Sequence, residues 1–351
     1  MKIILLFFIC FFMIPLSNLA QMKAANEERF ISIGGIEHWI TIHGYDSSKP
    51  IVLFLHGGPG SVMSAYDQTI YGEWEKDFIV VNWDQRGAGR TFGRNAPSQV
   101  GEDYWIENPL TVEQMTADGI ELSEYLLKYL GQQKLMLLGT SWGSVLGLKM
   151  ALHRPDLYNA YVGHSQLVDG SKALVQAYKR VLTLARTTGD REAVDQLGSI
   201  GAPPYEDAKN AGQLFRIIKK YERAHSIPAP ASWWKLAPGY DNETDAQHRY
   251  DGDDYSFIHF VGHKKLGIKA MSATVDFMEE GLELKIPVYL IQGEEDILTP
   301  KETSRVYFDQ IKAPKKEYFL LPGADHGHNQ AVVDTQYKIV KEYLSPVTSG
   351  K

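Results

Sequence analysis

The chain has 351 residues, of which 44% are hydrophobic and 23% charged, with a formal net charge of −7. This composition excludes a disordered chain and fits one large α/β domain with an insertion, or two domains. With an acidic balance and no basic stripe, nucleic acid is not an expected partner.

The chain opens with Met1 and Lys2, an apolar run over residues 3–16, and then Ser17, Asn18, Leu19 and Ala20. These are the charged, apolar and small-residue regions of a secretion signal. Residues 1–20 are therefore expected to be a signal peptide cleaved near Ala20, leaving a periplasmic or extracellular protein. A membrane anchor is the competing reading, but the run is shorter than the roughly 20 residues a spanning helix needs and contains Pro15, so no stable span is expected in the mature protein. Cys10, the single cysteine, lies inside this run. The mature chain would then have no disulfide, and burial of a core must stabilise it.

Residues 21–164 read as the first part of an α/β core. Residues 29–33 and 37–42, separated by Gly34 and Gly35, form a hairpin pattern. Continuous apolar runs at 50–55 and 78–83 read as strands buried on both faces, each ending in a glycine-rich loop. Residues 111–130 read as a helix, with Thr111 and Gln114 as a capping box and Met115, Ile120, Leu122, Leu126, Leu127 and Leu130 at helical spacing. A strand at 134–138, a helix at 144–153 and a short strand at 160–163 follow. This alternation implies a mostly parallel sheet covered on both faces. Residues 165–284 differ in texture, being helical, aromatic and charged, with Pro203, Pro204, Pro228, Pro230 and Pro238 interrupting them. They read as an inserted helical cap. Residues 285–351 return to the core with strands at 286–291 and 317–321 and a helix at 330–343, ending in a polar tail at 345–351 that is expected to be disordered.

The chemistry concentrates at strand ends. Gly139-Thr140-Ser141-Trp142-Gly143 joins an apolar strand to a helical pattern, and its two glycines permit the close backbone contacts of a sharp turn that pushes a serine oxygen out above the sheet. A serine needs a base within reach and a group to orient that base. The loops after the last two strands supply Asp296 and His326, giving the chain order Ser141, Asp296, His326. Asp169 competes with Asp296 for the acid, and His328 with His326 for the base. Glu294 and Glu295 read as surface or field-tuning groups. His56-Gly57-Gly58-Pro59-Gly60 follows the strand at 50–55 and suits an oxyanion loop, so the N–H groups of Gly58 and Trp142 are the expected donors, with His56 fastening the loop. A phosphate cradle is disfavoured, since neither GxGxxG nor GxxxxGK occurs here. No cluster has metal-ligand spacing, and no metal or cofactor is expected.

The motifs at 56–60, at 84–90 (Asp84-Gln85-Arg86-Gly87-Ala88-Gly89-Arg90) and at 139–143 together resemble the prolyl aminopeptidase, or proline iminopeptidase, family of α/β-hydrolases. The resemblance spans roughly 29–163 and 286–343. It implies an eight-stranded core, a helical cap after the sixth strand, metal-free removal of an N-terminal residue that is often proline, and a structural pair between Asp84 and Arg86 near the site. Thr140 and Thr91 depart from the usual glycine and serine of the family motifs. The tryptophan–glutamate motif of the family's cap has no counterpart, and Ser232-Trp233-Trp234-Lys235 stands instead.

A cationic amine in a partly buried pocket requires a carboxylate. The candidates in the cap are Glu206, Asp207, Asp251, Asp253 and Asp254, with Glu206 carried forward. Gly57, Gln166, Trp233 and Trp234 are the other expected substrate contacts, while Tyr205 and Tyr255 are further aromatic candidates. The leading reading is a serine aminopeptidase acting on small peptides. An esterase or lactonase using the same triad, and a non-catalytic small-ligand sensor of the same fold, are the competing readings.

Overall fold

The apolar runs pair into one eight-stranded sheet in the order β1-β2-β4-β3-β5-β6-β7-β8. The strands are β1 (Ala25–Ile33), β2 (Ile36–Gly44), β3 (Ile51–Leu55), β4 (Ile79–Trp83), β5 (Leu135–Thr140), β6 (Tyr158–His164), β7 (Val288–Gly293) and β8 (Lys316–Leu321). The protein is seen here in a computed structural model that describes residues 24–344, so the expected signal peptide at 1–20 and the tail at 345–351 lie outside the described residues. β1 pairs antiparallel with β2 and β2 with β4, and every later pairing is parallel.

Strands β3, β4, β5 and β7 are buried along their whole length, as their unbroken apolar character requires. Alternate side chains feed two cores. Leu53, Val81, Leu137 and Leu290 pack on one face with the helices Val112–Leu130 and Trp142–His153. Val52, Val80, Met136, Leu138 and Ile291 pack on the other, against Trp74 and Val340. β1 begins earlier than its apolar pattern suggests, because Asn26, Glu27 and Glu28 continue the register with β2 on a solvated edge. Thr111 caps its helix as expected, its hydroxyl accepting the Gln114 N–H at 3.1 Å, and Gly131 closes the helix at φ +67°.

The parallel strands bring the loops after β3, β5, β7 and β8 to one edge of the sheet, where open α/β sheets build their sites. Between β6 and β7 the chain is helical, with Gly170–Thr187, Arg191–Ile200, Ala208–His225 and Glu243–Val261 as its main helices. Three of these share a small core of Val181, Leu197, Leu214, Ile218 and Tyr221. Helices Ala208–His225 and Glu243–Val261 face the edge that carries the loops.

Candidate active site

Ser141 sits between β5 and the helix Trp142–His153 with φ +54° and ψ −119°, a left-handed backbone that a non-glycine residue adopts only when its surroundings impose it. The neighbouring glycines are those surroundings. A Cβ on Gly143 would lie 1.9 Å from the Leu55 carbonyl oxygen, and one on Gly139 would lie 2.3 Å from the Gly143 oxygen. The turn therefore holds the Ser141 hydroxyl at the sheet edge.

The loops after β7 and β8 complete a chain of hydrogen bonds. Ser141 Oγ is 2.8 Å from His326 Nε2, and His326 Nδ1 is 3.2 and 3.1 Å from the two Asp296 oxygens. With Nδ1–H facing the carboxylate, a neutral ring leaves Nε2 free to accept the serine proton. Asp296 is fully buried and also accepts from the Thr299 N–H at 2.7 Å, the Thr299 hydroxyl at 2.6 Å and Gln292 Nε2 at 3.1 Å. Burial opposes ionisation of Asp296, but the charge and hydrogen bond of His326, with the bonds from Thr299, hold its carboxyl below the usual range. Burial likewise opposes charge on His326. The Asp296 charge and hydrogen bond, with Glu222 and Asp325, outweigh that and raise the imidazole to about 9.

The competing residues fall elsewhere. Asp169 accepts from the Lys172 N–H at 2.8 Å and pairs with the Lys172 ammonium at 2.6 Å, so it caps the helix Gly170–Thr187. His328 Nε2 lies 3.2 Å from both Tyr71 Oη and Thr140 Oγ1. Burial, then the His326 charge, pushes His328 down to about 4, which keeps it neutral.

The oxyanion loop is fastened from behind. His56 Nδ1 donates to the Gly57 carbonyl at 2.9 Å and Nε2 accepts the Gln85 N–H at 3.2 Å, while the Gln85 side chain bonds the His56 carbonyl at 3.0 Å and accepts from the Trp142 indole at 3.0 Å. Burial drives His56 down to about 4, consistent with this neutral ring. Gly58 adopts φ +110°, where a Cβ would meet the Gly60 nitrogen at 2.4 Å. Asp84 and Arg86 do not pair with each other, contrary to the expectation for that motif. Arg86 binds Asp118 at 2.6 Å, and Asp84 takes the Ser64 hydroxyl at 2.6 Å and the Arg90 N–H at 2.9 Å.

Above the serine lies a cleft of about 830 Å³, lined by Gly57, Gly58, Ser141 and His326 from the core and by Phe215, Glu222, Trp234 and Phe257 from the cap. Three expected contacts are not part of it. Glu206 is exposed and paired with Lys264 at 2.6 Å. Gln166 is buried, receiving the Tyr161 hydroxyl at 2.7 Å and donating to the Leu167 carbonyl at 3.0 Å. Trp233 is 6% exposed and packs into the core, whereas its neighbour Trp234 is 52% exposed and faces the cleft.

Of the acids expected in the cap, Asp253 lines the cleft, where it accepts the Ser61 hydroxyl at 3.1 Å, and Asp325 lines it from the core; the buried carboxylate beside the Asp296 loop is Glu222, which the sequence reading missed. It is buried, and its Oε1 accepts from the N–H groups of Ile297 at 2.7 Å and Leu298 at 3.2 Å, directly after Asp296. Burial and the Asp296 charge raise it to about 7 against the pull of His326. Glu222 lies four residues after Ile218 and eight after Leu214, on the apolar face of the helix Ala208–His225. An acid on an apolar face was the available signal.

A mostly parallel sheet, a strained serine at a strand-to-helix turn, and histidine and aspartate on the loops after the last two strands define an α/β-hydrolase. Residues 46–329 match the family model for serine aminopeptidase, S33, and the chain belongs to that family. It is 27% identical over 301 residues to a probable aminopeptidase, YbaC, of Bacillus subtilis, covering 84% of this chain and 89% of that one. It is 35% identical over 284 residues to a probable proline iminopeptidase of Streptomyces coelicolor, covering 75% and 78%. The crystal structure of a proline iminopeptidase from Mycobacterium smegmatis shares the fold, with a TM-score of 0.62 at 19% identity over 90% of this chain and 98% of that one.

Proposed function

We propose that the protein is an exported serine aminopeptidase that removes an N-terminal residue, proline or one like it, from small peptides through an acyl-Ser141 intermediate. The observation that carries this reading is a buried carboxylate, Glu222, in the same cleft as the hydrogen-bonded Ser141, His326 and Asp296.

In this mechanism Glu222 holds the substrate's cationic amine, which places the first peptide carbonyl over Ser141. Ser141 Oγ attacks that carbon while its proton passes to His326 Nε2, and Asp296 stabilises the imidazolium. The oxyanion is received by the backbone N–H groups of Gly58 and Trp142, each worth about a hundredfold or more in rate. His326 then protonates the leaving nitrogen and the C–N bond breaks. Water enters, gives its proton to His326 and attacks the ester carbon; the proton returns to Ser141 Oγ as the free amino acid leaves.

The test is kcat/KM for an L-prolyl arylamide beside its N-acetyl derivative, with Ser141→Ala as control. Cleavage of the free-amine substrate alone, abolished in the mutant, is expected. Cleavage of both would point to an esterase-like enzyme indifferent to the amine, and cleavage of neither arylamide, esters or lactones would favour the ligand-binding reading. Export is tested separately: the N-terminal sequence of the mature protein is expected to begin near Gln21.

A further inference from the structure

Helix Ala208–His225 turns Leu214, Ile217 and Tyr221 into the cap and presents Phe215, Arg216, Lys219, Glu222 and Arg223 to the cleft. Arg216 and Lys219 stand three residues apart, and Lys219 and Arg223 four, so each adjacent pair sets like charges side by side on one helix face, an arrangement that disfavours the helix by itself. Among the described residues no carboxylate lies within ion-pair distance of Arg216, Lys219 or Arg223, whereas Lys220, just outside the cleft, is paired with Asp190 at 2.7 Å. The acids of the same cleft are otherwise engaged. Glu222 holds two backbone N–H groups, Asp325 takes the Ser226 hydroxyl at 2.7 Å and the Gly327 N–H at 2.8 Å, and Asp253 takes the Ser61 hydroxyl at 3.1 Å. Asp253 offsets part of the Lys219 charge.

The cleft is thus bipolar, with a buried acid held against the loop after Asp296 and exposed cations on the same helix. We propose that Arg216, Lys219 and Arg223 form a carboxylate subsite for the leaving half of the substrate, so that the enzyme prefers dipeptides and other very short peptides with a free C-terminus. This rests on the aminopeptidase reading above. A zwitterionic dipeptide matches both poles: its amine meets Glu222 and its carboxylate lies one residue beyond the scissile bond. The cations span about 10 Å of helix, at 1.5 Å per residue, while an extended peptide advances about 3.4 Å per residue, so the carboxylate of a long peptide passes out of their reach.

The experiment compares kcat/KM for prolyl-alanine, prolyl-alanine amide and prolyl-glutamate amide at low ionic strength, beside a neutral prolyl arylamide. The free acid is expected to exceed its amide roughly tenfold, as one charge-assisted contact provides. That ratio is expected to approach one in an Arg216→Ala/Lys219→Ala/Arg223→Ala variant and in about 0.5 M salt, and to persist in Lys220→Ala. Prolyl-glutamate amide distinguishes the source of the carboxylate: a rate near that of the plain amide assigns the subsite to the C-terminus, and a rate near that of the free acid assigns it to acidic side chains. Equal rates for acid and amide, with the arylamide still cleaved, would overturn the subsite and leave the aminopeptidase reading standing. A preference for the acid that survives the triple variant would also overturn it. If none of the substrates is cleaved, both readings fall together.

Discussion

Glu222 of the cap accepts a 2.7 Å hydrogen bond from the backbone N–H of Ile297, the residue after Asp296. One carboxylate oxygen thus pins the cap to the acid loop and brings a negative charge beside His326. Glu222→Gln should keep the pin, because an amide oxygen also accepts, while removing the charge. For the prolyl arylamide, kcat/KM should fall about 10- to 100-fold, the scale of a lost charged contact, and fall less for an ester substrate that carries no amine. Equal losses on the two substrates would remove Glu222 from amine recognition.

The same charge adds to that of Asp296 in shaping the pH dependence. His326 works as a base only when neutral, and its value of about 9 places the rising limb of kcat/KM above the ordinary histidine value of 6.5. Glu222→Gln should shift that limb to lower pH, since Glu222 is one of the groups raising His326. Stability runs the other way. With a folded pKa raised above its unfolded value, His326 contributes stability in full below 6.5 and loses it as pH rises through about 9. Glu222, also raised, loses its contribution as pH rises from 4.5 through about 7. Thermal melts across pH 6–10 should therefore fall over the range in which activity climbs.

Two glycines beside Ser141 separate folding from chemistry. In Gly143→Ala the new Cβ would meet the Leu55 carbonyl oxygen at 1.9 Å, so β3 itself must move. The expected cost is about 4 kcal/mol or more, and little folded protein. In Gly57→Ala the nearest atoms are Ser141 Cβ and the Thr140 oxygen, both at 3.2 Å, which a small shift accommodates. That variant should fold, with a drop in kcat of about tenfold from the displaced nucleophile. Denaturation curves and kcat measured together check the contrast.

Ser141, Asp296 and His326 were legible in the sequence because each follows a strand whose apolar run marks it, and strand ends in a parallel sheet converge. Glu222 was not, since its neighbours Lys219, Lys220 and Arg223 give the segment the look of a solvated face. Only its register with Leu214 and Ile218 sets it apart. Asp118, the true partner of Arg86, is hidden in the same way, on the buried face of its helix with Met115 and Leu122. Trp233 and Trp234 are adjacent and chemically identical, so nothing local says which one faces the cleft. The helix Gly89–Asn95 escaped notice because its two glycines and lack of apolar period argue against it. It forms around a carboxylate from outside, with Asp84 accepting the Arg90 N–H in its first turn.

Arg90 also joins this loop to the cap, and the strength of that joint can be measured. Its guanidinium meets Asp245 through Nε at 2.7 Å and Nη2 at 2.8 Å, donates to the Gly239 carbonyl at 2.7 Å, and lies over the rings of Tyr240 and Trp39 at 3.7 and 4.6 Å. Asp245 lies in the first turn of the helix Glu243–Val261, whose Asp253 backbone packs directly on Gly60 of the oxyanion loop. Truncating Arg90 leaves the largely buried Asp245 carboxylate without its fork, so Arg90→Ala should cost about 2–3 kcal/mol, short of a fully buried pair because both side chains keep some exposure. A lysine supplies one ammonium in place of a planar fork stacked on two rings, so Arg90→Lys should recover less than half of the loss. In a double-mutant cycle with Asp245→Asn, a coupling of about 1–3 kcal/mol is expected. Near-zero coupling would assign the stability of this joint to the Trp39 and Tyr240 rings instead. Because the joint sets where the cap rests on the oxyanion loop, its loss should raise KM for the prolyl arylamide in the fraction that remains folded.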